Sequence, residues 1–342
     1  MKKLLTFVSA ITAGAIGTAS AEVSVSGSSN FFYASGSGDA NSTTNEESMS
    51  VVGGTMAFNM STETTNGITV SGSATISALT TDAATTVTSV VVGGLSQISF
   101  GMDGMTVTLG DINNAGSGTG GGGDVTSFAA VHVASITTTT GNGAAGADAA
   151  IDGVADGTGI SVATSVGEVA VNANFVSTVG SGRNSLTTNT KTAGANSGYA
   201  IDLGFALGGA AVNVAVGGSS AQATGVKNST AMGLEVSYPA TDAWTVSAGG
   251  SQGTLVDIEV DNMFVTAAYA MDADTTLSVG YSSKDNENTD GEVDEERLTT
   301  VNVSRSLGGG VSIFAEYASA DYDTDGTGSD GSSIALGTVV SF

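Results

Sequence analysis

From Glu22 onward the dominant pattern of the chain is alternation with a period of two. Val23, Val25 and Gly27 alternate with Ser24, Ser26 and Ser28. Ile68, Val70, Ala74 and Ile76 alternate with Thr69, Ser71, Ser73 and Thr75, and Tyr199, Ile201, Leu203, Phe205 and Leu207 with Ala200, Asp202 and Gly204. That spacing sends successive side chains to opposite faces of a strand, so one face is apolar and the other small and polar. Composition closes the helical option, because 50 of 342 residues are Gly and each costs a helix ~1 kcal/mol relative to Ala. The single proline, Pro239, is expected in a tight turn, where its missing N–H costs the sheet nothing. The chain is all-β.

Two architectures use such strands. In a soluble sandwich the apolar faces of two sheets meet in a core, which calls for larger aromatics than the 6% present. In a transmembrane barrel the apolar face meets lipid and the polar face lines water. Connection lengths separate the two. Short connections fall at 63–67, 101–104, 166–168, 208–209, 239–243, 272–274 and 308–310. Between them lie longer polar or acidic ones, at 34–47, 80–87, 177–197, 221–228, 253–257, 285–296 and 320–330. Tight and long connections alternate in outer-membrane barrels, with periplasmic turns on one rim and external loops on the other. Reading 125–138 as a strand gives seventeen and puts every later short turn on the wrong rim; without it the alternation holds and sixteen antiparallel strands remain. Residues 113–157 then form one long third loop, of a length that is usually functional, and it is assigned as the pore-constricting loop, folded inward.

Met1 to Ala21 reads as a secretory signal: Lys2 and Lys3, an apolar stretch from Leu4 to Ile16, and Ala19-Ser20-Ala21 as cleavage site. The run is too short for a spanning helix. The barrel domain is 22–342. Loss of the signal removes two of eight basic residues and no acid, leaving six Lys and Arg against 33 Asp and Glu. Nucleic acid is excluded as a partner, because phosphate binding needs clustered cations. The absence of Cys removes disulfide scaffolds and thiolate chemistry. Disorder, the usual reading of an acidic Gly/Ser/Thr-rich chain, conflicts with 40% hydrophobic residues.

The signal segment, the sixteen alternating segments, the long loop after Val107-Thr108-Leu109-Gly110-Asp111 and the final Ile334, Leu336, Thr338, Val340 and Phe342 together resemble Gram-negative general diffusion porins of the alphaproteobacterial type. The resemblance implies a homotrimer of water-filled barrels in the outer membrane, embedded in its lipid, each narrowed by its third loop. It also implies that Phe342 is read by the barrel-assembly machinery. Such porins commonly face an acidic third loop with a wall of Arg or Lys, and no such ladder is found here. Arg183 and Lys191 fall in the fourth loop, Lys227 in the fifth, and Lys284 and Arg297 at the rim of the seventh. Arg305 shares the outward parity of Val301, Val303 and Leu307 and should snorkel at the periplasmic interface.

Inward parity places Asn172, Asn174, Asp202, Asn213, Glu235 and Glu316 on the lumen wall, and the third loop adds Asp124, His132, Asp148, Asp152 and Asp156. Carboxylates without cations concentrate cations and repel anions, so the expected activity is passive diffusion of small hydrophilic solutes with a preference for cations. The same loop acids would equally keep a surface solvated. Asp321, Asp323 and Asp325, followed by Gly326, have the spacing of the first half of a calcium loop, but Ser332 stands where the bidentate Glu would be. A structural Ca²⁺ and a plain acidic loop both fit; no other cofactor is expected.

An enzyme is not expected, since one His and no Cys leave little for nucleophilic catalysis. Gly120 to Gly123 lack the Lys and helix of a phosphate cradle and read as a hinge. Phe58, Phe100, Phe205, Tyr238, Trp244, Tyr269 and Phe342 cluster near the short turns, as an interfacial girdle does. The alternative function is a secreted or surface-attached acidic β-rich adhesin. Such a protein needs an internal repeat of fixed period, and none is present.

Overall fold

The computed structural model describes residues 21–38, 47–78, 81–82, 90–92, 97–112, 119, 122–127, 129, 157–179, 196–220, 228–255, 258–287, 293–324 and 327–342. The strands are β1 (Ala21–Gly38), β2 (Glu47–Glu63), β3 (Thr69–Ala78), β4 (Gln97–Met102), β5 (Met105–Ile112), β6 (Gly157–Val166), β7 (Val169–Val179) and β8 (Asn196–Leu207). They continue as β9 (Ala210–Ser220), β10 (Ser229–Pro239), β11 (Trp244–Leu255), β12 (Ile258–Ala270), β13 (Thr275–Glu287), β14 (Val293–Gly308), β15 (Val311–Thr324) and β16 (Thr327–Ser341). Thr81–Asp82 carries β3 on along β2, and Val90–Val92 leads into β4 along β3. Every strand pairs antiparallel with its sequence neighbours, and β1 pairs with β16, so the sheet closes into a sixteen-stranded barrel. Closure leaves no unpaired edge, which lipid would not tolerate.

All seven short turns lie on the rim that also carries both ends of the barrel, as the alternation predicts. Two are two-residue hairpins in which both central residues need positive φ. Asp103 and Gly104 sit at 50° and 75°, and Gly208 and Gly209 at 59° and 87°. Pro239 differs slightly from expectation: it is the last residue of β10, paired with Thr245, just before the turn.

The opposite rim departs further, because several strands outrun the apolar segment that betrays them. β11 reaches Leu255 and β12 starts at Ile258, so the connection expected at 253–257 is almost all strand. β15 runs to Thr324 and β16 begins at Thr327, which dissolves the loop expected at 320–330. Of the third connection, Gly157 is already the first residue of β6, and most of the rest lies outside the described residues.

The wall has two faces of different chemistry. In β12, Met263 and Val265 are 59% and 45% exposed on the outside, while Phe264 between them points inward at 7%. Ile334 and Leu336 stand outward in the same way around the buried Ala335. Transfer of such Val, Leu, Ile or Phe side chains out of water is worth roughly 1.5–3 kcal/mol each, so lipid contact is the main stabilising term for this surface. The girdle aromatics Phe58, Phe100, Phe205, Tyr238, Trp244 and Tyr269 all share the outward register, and Trp244 stacks on Tyr269 with ring centroids 4.7 Å apart. The hydrophobic core among the described residues lies inside the barrel, where Ala129 of the third loop meets Ala34, Leu298, Ala318, Ala320 and Ala335.

Candidate pore

Strand register joins the wall residues singled out by parity. Asn172 stands opposite Asp202 between β7 and β8, and its Nδ2 donates to Asp202 Oδ2 at 3.4 Å. Ser161 of β6 donates to Asn172 Oδ1 at 3.0 Å. Asn213 of β9 faces Gly204 on one side and Glu235 of β10 on the other, and its Oδ1 occupies the space beside Gly204, 3.0 Å from where a Cβ would stand. Asn174 is buried on the same face. These five form one contiguous polar track across β7–β10. Glu22, on the inner face of β1, joins Ser24, Asn59, Ser61 and Ser73 around a recess of about 570 Å³; sequence reading passed over this acid because it abuts the signal segment.

The third loop docks on the neighbouring arc of the wall. A Cβ on Gly122 would come within 3.1–3.2 Å of the Phe264 ring, which itself covers Gly249 of β11. Gly123, at φ +95°, lies flat against β13, where a Cβ on Gly280 would collide with its carbonyl oxygen. The Thr300 hydroxyl of β14 donates to Gly123 O at 2.9 Å and accepts from Val125 N at 3.0 Å. Glu316 of β15 accepts from Ser127 N at 2.9 Å through Oε1 and from Ala129 N at 3.1 Å through Oε2, while Asn302 Nδ2 donates to Oε1 at 2.9 Å. Ser333 of β16 donates to Ala129 O. The expected hinge is therefore a contact point at Gly122 and Gly123, where side chains would hold the loop off the wall.

Glu316 faces inward as parity predicts, but it is only 3% exposed and lies beneath the loop, so it does not line open pore as expected. Asp124 is the one expected loop residue within the described set. Its Oδ1 accepts from Thr126 N at 2.8 Å and Thr126 Oγ1 at 2.7 Å. Burial pushes its carboxyl above the ordinary range, and the two Thr126 bonds pull the other way. His132, Asp148, Asp152, Asp156 and Asp325 lie outside the described residues, as do residues 1–20 of the expected signal segment, Arg183, Lys191 and Lys227. The apolar seat under Ala129, flanked by Phe32, Phe314 and Tyr322, was missed. Its signal was readable: three aromatics at inward parity on strands whose inner face is otherwise small.

The polar track spans β7–β10 and the docked loop rests on β12–β16, so the two occupy adjacent arcs of the ring, with Gly249 of β11 between Glu235 and the Phe264 ring that meets Gly122. Among the described residues three cations remain. Lys284 is on the inner face of β13 beside Asn262 and Glu296, a correction to its expected place at the loop rim. Arg297 is outward and pairs with Glu295. Arg305 is outward near the short turns, where its Nη1 reaches Thr275 Oγ1 at 2.8 Å and Asp272 Oδ2 at 3.3 Å. The N–H of Asp274 chiefly, then the Thr275 hydroxyl and Arg305, hold the Asp272 carboxyl below the ordinary range.

The calcium-loop geometry expected around Asp321 and Asp323 is replaced by a ladder. Asp321 pairs with Arg297 and Asp330, and Asp323 with Glu295 and Gly328. Oxygens at alternate positions are a feature of calcium loops and equally of any strand with one acidic face. Among the described residues no three His, Asp or Glu side chains converge on a metal position.

A closed antiparallel wall, apolar outside and polar within, with residues 122–129 seated against its inner face, is the architecture of an outer-membrane diffusion channel. The chain belongs to the Gram-negative porin family, whose model matches residues 6–325. No curated protein sequence matches it. Among solved structures it is similar to OmpT, an outer-membrane protein of Vibrio cholerae, with a TM-score of 0.66 and 11% identity over 96% of this chain and 99% of that one. It is similar to the anion-selective porin of Comamonas acidovorans, with a TM-score of 0.64 and 13% identity over 94% and 100%. A mutant porin of Rh. blastica gives 0.59 and 16% over 94% and 100%. At these identities the likeness is one of fold.

Proposed function

We propose that this channel passes small hydrophilic solutes with a preference for cations, and that residues 113–157 narrow it. The observation that carries the reading is the polar track on the wall beside the docked loop. It holds Asp202 and Glu235 among Asn172, Asn174 and Asn213, and among the described residues β7–β10 carry no Lys or Arg. The docked loop adds a further acid, Asp124. Fixed carboxylates in a confined passage raise local cation concentration. That a neighbour of the same fold is anion-selective fits this view: lining charge, not the barrel, sets ionic preference.

The reversal potential of the purified protein in planar bilayers under a KCl gradient tests the reading. A potential of the sign that reports K⁺ permeation supports it, and anion preference overturns it. We also propose a homotrimer, supported by the trimer form of the Vibrio cholerae OmpT neighbour, and recognition of Phe342 by the assembly machinery. Size-exclusion light scattering in detergent and outer-membrane yield of a chain lacking Phe342 test these two.

A further inference from the structure

The geometry points to Glu316 as a positioning residue: its charge is committed to holding the third loop against the wall, so that it sets the bore of the channel and not its ionic preference. This rests on the reading of the loop as the element that narrows the pore. Three donors converge on one carboxylate, two of them backbone N–H groups of the loop, Ser127 and Ala129, and the third the Asn302 amide, which fixes the carboxylate from its own wall. Both oxygens are used, and at 3% exposure the group is covered by the chain it holds. A carboxylate in this setting is screened from permeating ions by the loop backbone, and charge-assisted bonds of this kind are about twice as strong as neutral ones.

The surroundings make the bond pattern specific. On one side Thr300 both donates to and accepts from the loop backbone at Gly123 and Val125. On the other, Ser333 donates to Ala129 O, and the Ala129 methyl sits among Ala34, Leu298, Ala318, Ala320 and Ala335. Glu316 is central in this row and alone supplies charge. Asp202, of the same inward parity, accepts instead from Asn172 Nδ2 on the wall, so two acids that sequence treats alike receive different work.

Glu316→Gln is the informative variant, because it keeps the size and one acceptor oxygen but cannot accept from both loop N–H groups. Conductance, reversal potential and hydrogen exchange of a 122–129 peptide are read on the same folded protein, with heat-modifiable gel mobility as the check on the barrel. The expected result is exchange at Ser127 and Ala129 faster by about tenfold, as for loss of a bond worth ~1.4 kcal/mol, fluctuating conductance in place of a single level, and an unchanged cation-to-anion ratio. An unchanged conductance level with a lowered cation ratio overturns the proposal and makes Glu316 an ordinary pore charge. Thr300→Val supplies a second route should Glu316→Gln fold poorly: it should loosen the same peptide and likewise leave selectivity alone, and intact protection in it also overturns the clamp. If faster exchange leaves conductance untouched, the loop does not set the bore, and the failure lies with the constriction reading.

Discussion

Asp202 and Glu235 stand half-buried on the inner wall with Asn172 and Asn213 as their neighbours and Gly204 and Gly249 beside them. Replacing both with the isosteric amides should lower the cation-to-anion permeability ratio by about two- to fivefold, with conductance level and folding unchanged; bilayer reversal potentials check this. Asp272 offers a test of a different kind. Its carboxyl titrates below its unfolded value, so the stabilisation it gives the turn is complete above that unfolded value and disappears as pH falls through the folded one. Asp272→Asn should therefore unfold ahead of the parent in detergent at neutral pH, and the gap should close in acid. A gap independent of pH would remove the charge from the explanation. Parity alone told which face each of these side chains occupies. It could not tell that Glu316 is sealed beneath loop backbone while Asp202 keeps partial exposure, because that cover comes from a loop whose path depends on contacts more than 150 residues away in sequence.

Within the third loop, the approach to the wall depends on absent side chains. Gly123 combines a positive φ with a wall so close that a Cβ would lie 2.6 Å from Ser282 Cβ and from Tyr281 O. Gly123→Ala should cost about 1–3 kcal/mol from backbone strain alone and displace the loop, read as rapid exchange of the 122–129 peptide and an altered conductance level. Asp124 adds a pH term to the same element. Its carboxyl titrates above the ordinary range when docked, so docking weakens as pH rises through the unfolded value toward the docked one, and Asp124→Asn should abolish that dependence. Strands were legible wherever lipid enforces alternation, as along 199–207. Where they rise past the lipid, as at 320–330, the outward side chains turn acidic, Asp321 and Asp323 imitate a loop, and composition misleads. Lys284 was displaced inward from its expected place for the same reason, being on a strand that continues to Glu287.

Considered whole, the ring has two unequal halves. β12–β16 carry the docked loop and an apolar seat, and β6–β10 carry the open polar track. Raising ionic strength should compress the cation preference, since the Debye length falls from about 10 Å at 0.1 M to 3 Å at 1 M, while leaving loop protection unaffected because its bonds are shielded. Bilayer selectivity and exchange measured over a salt series would separate the halves; parallel loss of both would deny the division. The closed sixteen-stranded plan was legible because an even strand count, tight turns on one rim and a lone demoted segment are constraints on topology. The division was not, since the seat is built from residues of four strands and one loop that share no local pattern.

The ring is fastened where Phe342 meets Gly27. Gly27 N donates to Phe342 O at 2.9 Å, Phe342 N donates to Gly27 O at 3.0 Å, and the Phe342 ring, 69% exposed, lies over the position where Gly27 lacks a Cβ. The clasp continues by one step the seam in which Ser28 to Gly38 pair with Ser341 back to Gly331. Without Phe342 that seam would keep its ladder but lose its two outermost bonds and the ring that covers Gly27, so opening of the barrel should begin at this rim, where hydrogen exchange at Gly27 would register it.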